Sequence, residues 1–286
     1  MIRRRSFLRL GAALSLMPLL QACQSPARPA TARPEGTAAI DPRLQSLVAG
    51  PQRSDKNRAR DIYRHPAETL AFFGLKPDQT VVEIEPGSAG WWTEILAPYL
   101  RDRGLYYAAG PAEDDTSAAA LSSRKGLAAK LAGDPALYDK VIVTQFDGER
   151  FDVAPAGTAD MVLTFRNLHD WMADGSAVQS LHAFYRALKP GGVLGIEDHR
   201  GRTDRPQDPK AASGYVREDY AISLVEGAGF KLAATSEIDA NPKDIKDYPA
   251  GVWTLPPTLR LKDQDRAKYL AIGESDRFLL KFIRPA

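Results

Sequence analysis

The sequence predicts an α/β protein built on a doubly wound, seven-stranded, mostly parallel sheet. Three observations predict it. Short β-rich runs alternate with helical stretches from about residue 80 onward, which is the pattern of a parallel sheet covered on both faces. The first run, Val81-Val82-Glu83-Ile84, ends in a glycine-containing turn that opens a helix, Glu85-Pro86-Gly87-Ser88-Ala89-Gly90-Trp91-Trp92. Further on, Pro190-Gly191-Gly192 makes a sharp turn from a helix into a later strand.

The elements follow in order. Pro66 to Gly74 reads as a helix with Pro near its start and Gly at its end. Strands are expected at Thr80 to Ile84, Leu105 to Ala109, Lys140 to Gln145, Met161 to Phe165, Val193 to Glu197, Lys231 to Ile238 and Arg277 to Ile283. Helices are expected at Trp91 to Arg101, Ser117 to Ala132, Ala177 to Leu188 and Arg217 to Ala228. Residues 241–273 are polar and Pro-punctuated where a hairpin needs only a few residues, so they form either a lid over the site or a surface elaboration.

Before this domain, which the sequence places at 55–286, lie two segments of another kind. Residues 1–22 have a basic start, an apolar stretch from Gly11 to Leu20 and a small residue, Ala22, before Cys23, the layout of a signal peptide. The stretch is broken by Pro18 and is shorter than the ~20 residues a spanning helix needs. Arg4-Arg5-Ser6-Phe7-Leu8-Arg9 resembles a twin-arginine export signal, and Leu20-Gln21-Ala22-Cys23 resembles a lipobox. The resemblance implies a periplasmic protein anchored to membrane by lipid on Cys23, with Gln24 favouring the outer membrane. Residues 23–54 are rich in Pro, Ala, Arg and Thr and read as a flexible tether.

Composition sets bounds on function. The chain has 286 residues, 44% hydrophobic and 26% charged, enough for one sizeable core. Without the four arginines of the signal segment, 34 of the 38 basic residues remain against 36 acidic ones. A surface so balanced has no general attraction for a polyanion, so nucleic acid is not an expected partner. A small-molecule substrate is.

The chemistry concentrates at the glycine turn. A turn from strand to helix without bulky Cβ atoms lets backbone N–H groups approach a ligand. Such ligands bind at the carboxyl ends of the strands. The nicotinamide fingerprint G-x-G-x-x-G is absent, which argues against a dehydrogenase. Of the four histidines, His65, His169 and His199 fall where that carboxyl edge should be, and His182 falls in a helix. An imidazole can take the proton of an acceptor hydroxyl or amine, which makes His169, with Asp198 and His199, the candidate catalytic group. The spacing of His65, His169, Asp198 and His199 matches no compact ligand motif, so no metal site is expected.

Val81 to Gly90 resembles motif I of the class I S-adenosylmethionine-dependent methyltransferases. Phe146-Asp147, Asp160 to Trp171 with Arg166-Asn167-Leu168-His169, and Leu181 to Asp198 with Leu188-Lys189-Pro190-Gly191-Gly192 resemble later motifs in the same order. A bacterial group of predicted methyltransferases is more similar still. The resemblance runs from about Pro66 to Ile238 and implies an antiparallel last strand and S-adenosylmethionine as cofactor. It implies contacts to that cofactor from Glu83, Glu85, Pro86, Gly87, Gly90, Asp147, Arg166 and Asn167.

Two departures stand out. Glu85 replaces the motif's first glycine, and Ala109-Gly110-Pro111 at the end of strand two lacks the usual acid, for which Glu113, Asp114 or Asp115 would have to substitute. They leave a second reading open, a non-catalytic envelope lipoprotein that binds a ligand on a degenerate methyltransferase fold.

Overall fold

The computed structural model describes residues 39–147 and 149–286; the signal segment, Cys23 and the start of the Pro-rich stretch lie outside the described residues. The chain forms α1 (Pro42–Ala49), α2 (Asp55–Arg58), α3 (Asp61–Arg64) and α4 (Pro66–Phe73), then β1 (Thr80–Ile84), α5 (Thr93–Leu100), β2 (Leu105–Gly110), α6 (Ala118–Gly133) and α7 (Pro135–Tyr138). There follow β3 (Val141–Phe146), β4 (Phe151–Asp152), β5 (Ala159–Phe165), α8 (Leu168–Asp174), α9 (Ala177–Ala187) and β6 (Leu188–His199). Last come α10 (Glu218–Gly227), β7 (Lys231–Ser236), a 3-10 turn (Gly251–Thr254), α11 (Arg266–Ile272) and β8 (Arg277–Ile283).

Among the described residues the strands make one eight-stranded sheet in the order β4-β3-β2-β1-β5-β6-β8-β7. Strands β3, β2, β1, β5 and β6 are parallel, and β8 is antiparallel to both β6 and β7. All seven expected strands are present. The eighth, β4, is a two-residue antiparallel edge beside β3, too short for periodicity to announce. Strand order reverses between β1 and β5, so the crevice outside their carboxyl ends is where a ligand belongs.

The pleat sorts side chains between two cores. Val82, Ile84, Val162, Leu194 and Phe278 point to the face under α8, α9 and α10. Val81, Met161, Leu163, Tyr106 and Leu279 point to the face covered by α1, α4 and α5. Trp92 stacks on Phe165 at 4.0 Å and 18°, and both tryptophans of the turn are buried, so neither is left to face a ligand openly.

The tether and domain boundary need correction: the expected tether of residues 23–54 is folded in its last part. Asp41 caps α1 by accepting from Arg43 N at 2.7 Å and also accepts from Tyr99 Oη at 2.8 Å. Leu44 is fully buried against the α4–α5 layer. Arg53 is buried as well, with its guanidinium donating to both oxygens of Asp61. A short amphipathic helix amid Pro, Arg and Thr offered too few apolar positions to reveal itself.

If α1 belongs to the domain, Leu44→Ala should cost about 2–4 kcal/mol in urea unfolding, the usual loss for a buried leucine. A tether residue would cost less than about 0.5 kcal/mol, and that result would return α1 to the linker.

Candidate functional site

The site begins where β1 ends. Glu85 N donates to Ala109 O at 2.8 Å, and the residue has φ 52°, the left-handed conformation that the glycine of the motif would adopt freely. Gly87 (φ 66°) and Gly90 (φ 52°) follow in the same region, and a Cβ on Gly87 would meet nothing within 4 Å, so the space above the turn is open. Asn167, at the end of β5, fastens the turn from below, since its Nδ2 donates to Ile84 O (3.2 Å) and Thr164 Oγ1 (3.0 Å). Asn167 therefore holds backbone in place.

Burial pushes the Glu85 carboxyl up to about 7, and the carboxylates of Asp170 and Asp174 add to the shift. Burial pushes the Glu83 carboxyl up to about 7 as well. Its carboxylate accepts from the hydroxyls of Thr93 (3.1 Å) and Tyr106 beneath the turn, so it buttresses the turn from inside the α5 layer. Asp147 closes the β3–β4 hairpin by accepting from Glu149 N (2.8 Å) and Arg150 N (2.7 Å). In each of these acids, expected from the motif to contact cofactor, one carboxyl oxygen, Glu83 Oε2 and Asp147 Oδ1, accepts from the protein.

Beside the turn, a cavity of about 500 Å³ opens between β2, β3 and α6, lined by Pro86, Gly110, Pro111, Glu113, Arg124 and Gln145 among others. Of the three substitute acids, Glu113 lines this cavity. Asp114 pairs with Arg150, and Asp115 accepts from Ser117 N ahead of α6.

On the other side of the crevice, His169, Asp198 and His199 come together. Asp198 is fully buried; its oxygens accept from His169 N (3.0 Å), His199 N (2.7 Å) and lie 2.9 Å from His169 Nδ1. Burial lowers the His169 pKa, but the charge and hydrogen bond of Asp198 outweigh it, and the net shift is upward. His199, whose Nδ1 lies 2.6 Å from Ser275 Oγ, is pushed well below its ordinary value by burial and by nearby His169, Arg166 and Arg277. It is therefore neutral at physiological pH.

One donor atom from each of these three residues lies within 4.8 Å of the others, close enough to share an ion after small shifts. The edge shared by β5 and β6 made the proximity of His169 and Asp198 expected, but the sequence spacing did not show that the three could share an ion. The N–H donors already on Asp198 describe a fixed histidine–carboxylate pair.

Arg166 (φ 64°) leaves β5 with its N–H donating to Glu197 O at 2.7 Å. His65 pairs with Asp239 at 2.9 Å beside a polar cavity of about 280 Å³, and His182 is exposed on α9. The 241–273 insertion reaches the site, for the Trp253 ring lies 6.0 Å from that of His169 and Val252 N donates to Ser213 O at 2.8 Å. Trp253 and Ser275 carry no motif, and sequence reasoning did not single them out.

No protein-family model matches the sequence, and neither does any curated protein. Solved structures do match in fold. A SAM dependent methyltransferase from Aquifex aeolicus is 17% identical with a TM-score of 0.52, the match covering 86% of this chain and 100% of that one. The [4+2]-cyclase SpnF is 14% identical with a TM-score of 0.54, covering 86% of this chain and 92% of that one. The chain thus has the α/β fold of S-adenosylmethionine-dependent methyltransferases, a fold that also carries a cyclase and does not by itself fix the chemistry.

The raised Glu85 carboxyl has a stability consequence. Native protein holds its proton above the ordinary 4.5, so the cost of burying the ionised group appears as pH rises from there through about 7. Glu85→Gln should stabilise the fold by on the order of 2–3 kcal/mol near pH 8 and by little near pH 5. A difference that does not change with pH in thermal unfolding would show that Glu85 is solvated.

Proposed function

We propose that this protein binds S-adenosylmethionine at the β1–α5 turn and transfers its methyl group to a small molecule whose accepting oxygen or nitrogen gives its proton to His169. The observation that carries this reading is the buried His169–Asp198 pair at the carboxyl ends of β5 and β6, on the far side of the crevice from Gly87. The residues fit the cofactor, since Gly87 leaves open space above a turn that Asn167 holds.

When bound, the cofactor supplies an electrophilic methyl group on a sulfonium. The chain's own residues do the rest. Asp198 fixes the orientation of the His169 ring and stabilises the imidazolium that forms when it takes the proton. Because only neutral imidazole accepts, turnover should rise with pH through the elevated His169 pKa. Trp253 packs toward His169 and limits water at the base.

Glu85 favours a second reading. A left-handed, non-glycine residue with a buried carboxyl at the turn suits a module that binds a cationic ligand without chemistry. Calorimetry separates the two. Micromolar binding of S-adenosylhomocysteine by the native protein, with methyl transfer from labelled cofactor into an envelope extract lowered about 100-fold or more by His169→Gln, supports the enzyme. Absence of binding at millimolar ligand, in native protein and Glu85→Gly alike, leaves the binding module.

We also propose that the mature chain starts at a lipid-modified Cys23 in the periplasm, supported by the order of twin-arginine-like and lipobox-like segments ahead of the chain's one cysteine. Mass spectrometry of the membrane fraction should find a diacylated N-terminal cysteine, and a Cys23→Ala protein should leave the membrane. An intact N-terminus contradicts this placement.

A further inference from the structure

We infer that Arg64 and Arg166 form an anion subsite, between the glycine turn and His169, that holds a carboxylate of the bound ligand. The inference deepens the methyltransferase reading and takes its place for the ligand from it. It starts from an imbalance. Four guanidinium groups, those of Arg60, Arg64, Arg166 and Arg277, cluster at the carboxyl ends of β5, β6 and the start of β8 around two carboxylates, Glu197 and Glu274. Asp239 stands nearby but is paired with His65.

Each carboxylate already accepts from one of the other two arginines, while Glu197 Oε2 stays buried without a hydrogen-bond partner. Arg277 Nη1 donates to Glu197 at 2.7 Å, and Arg60 Nε donates to Glu274 at 2.6 Å. Arg64 is left with a 3.7 Å approach to Glu274, and its Nε and Nη2 are buried without a hydrogen-bond partner. Its guanidinium, 1% exposed, lies 4.5 Å over the Trp91 ring at the start of α5. The Arg166 side chain makes no hydrogen bond or ion pair among the described residues, and its Nε is buried.

A cation held out of water with N–H groups unsatisfied is costly. Burial, then the charge of Arg166, pushes the Arg64 pKa well below its ordinary value. A carboxylate is the ligand that removes this cost, because its two oxygens match the N–H fork of a guanidinium.

Position says what brings it. Arg64 is within electrostatic reach of Glu83 under the β1 turn, and Arg166 within reach of His169 and Asp170. The subsite therefore spans the border between cofactor and acceptor, and the carboxylate comes from the amino-acid end of the cofactor or from an acidic acceptor.

Two measurements on the mature protein decide. Calorimetry compares S-adenosylhomocysteine with its decarboxylated analogue. A preference of about 10- to 100-fold for the carboxylate form, mostly lost in Arg166→Gln while affinity for the analogue stays within about twofold, assigns the subsite to the cofactor. The other measurement titrates acetate into the ligand-free protein and follows the arginine Nε–H signals by NMR, which requires no variant to fold and no cofactor to bind. Saturable shifts at Arg64 and Arg166 without discrimination between the two nucleosides assign the subsite to an acceptor. Equal nucleoside affinities together with unmoved arginine signals overturn the subsite. Failure of both nucleosides to bind overturns the methyltransferase reading alone, because the acetate titration still decides the subsite.

Discussion

Asp198 is the constraint on which the functional edge depends. A carboxylate buried this fully is tolerable only if donors surround it. The donors come from two elements: the backbone and ring of His169 at the start of α8, and the backbone of His199 at the end of β6. Meeting that demand locks the β5–α8 connection onto β6 and fixes which nitrogen of His169 faces outward. The position of the imidazole then follows from the need to satisfy a buried charge, and the same charge raises its basicity. One interaction thus sets geometry and proton affinity together.

A second buried charge system lies behind the first. Arg277 at the start of β8 joins Glu197 on β6, and its Nη2 donates to Tyr63 O in α3. Arg60 joins the same group through Glu274. The N-terminal helices are thereby fastened to the far end of the chain across the carboxyl edge of the sheet. Breaking such a pair by removing one partner leaves the other charge stranded, at a typical cost of about 3–5 kcal/mol, so the helices that deliver Arg64 and His65 are held as firmly as the sheet. The excess of guanidinium over carboxylate in this group is what distinguishes it from a purely structural network.

Much of the fold was legible because its elements are long and periodic. The last strand, Arg277–Ile283, matches its expected bounds, and α9 falls within one residue of its expected bounds. What escaped was short or long-range. The helix α1 buries one leucine fully, and β4 has two residues. In the site, the approach of His169 to Asp198 was legible, since adjacent parallel strands share an edge. Motif position located Glu83 and Asp147, but a motif marks where an acid stands in the chain and is silent on the tyrosine or backbone N–H groups that share its oxygens. Arg64 carried no signal beyond standing before His65-Pro66. Its meaning appears only when Arg166 and Trp91, distant in sequence, come alongside.

Under the proposed function, an Asp198-held imidazole faces the methyl donor across the β1–β5 crevice. A crystal structure of the mature protein grown with S-adenosylhomocysteine tests it most directly. The expected result is a nucleoside seated over Gly87, with its sulfur turned toward His169 and the His169–Asp198 contact intact. Ligand density elsewhere on the sheet, or a His169 ring on the side away from the sulfur, would contradict it.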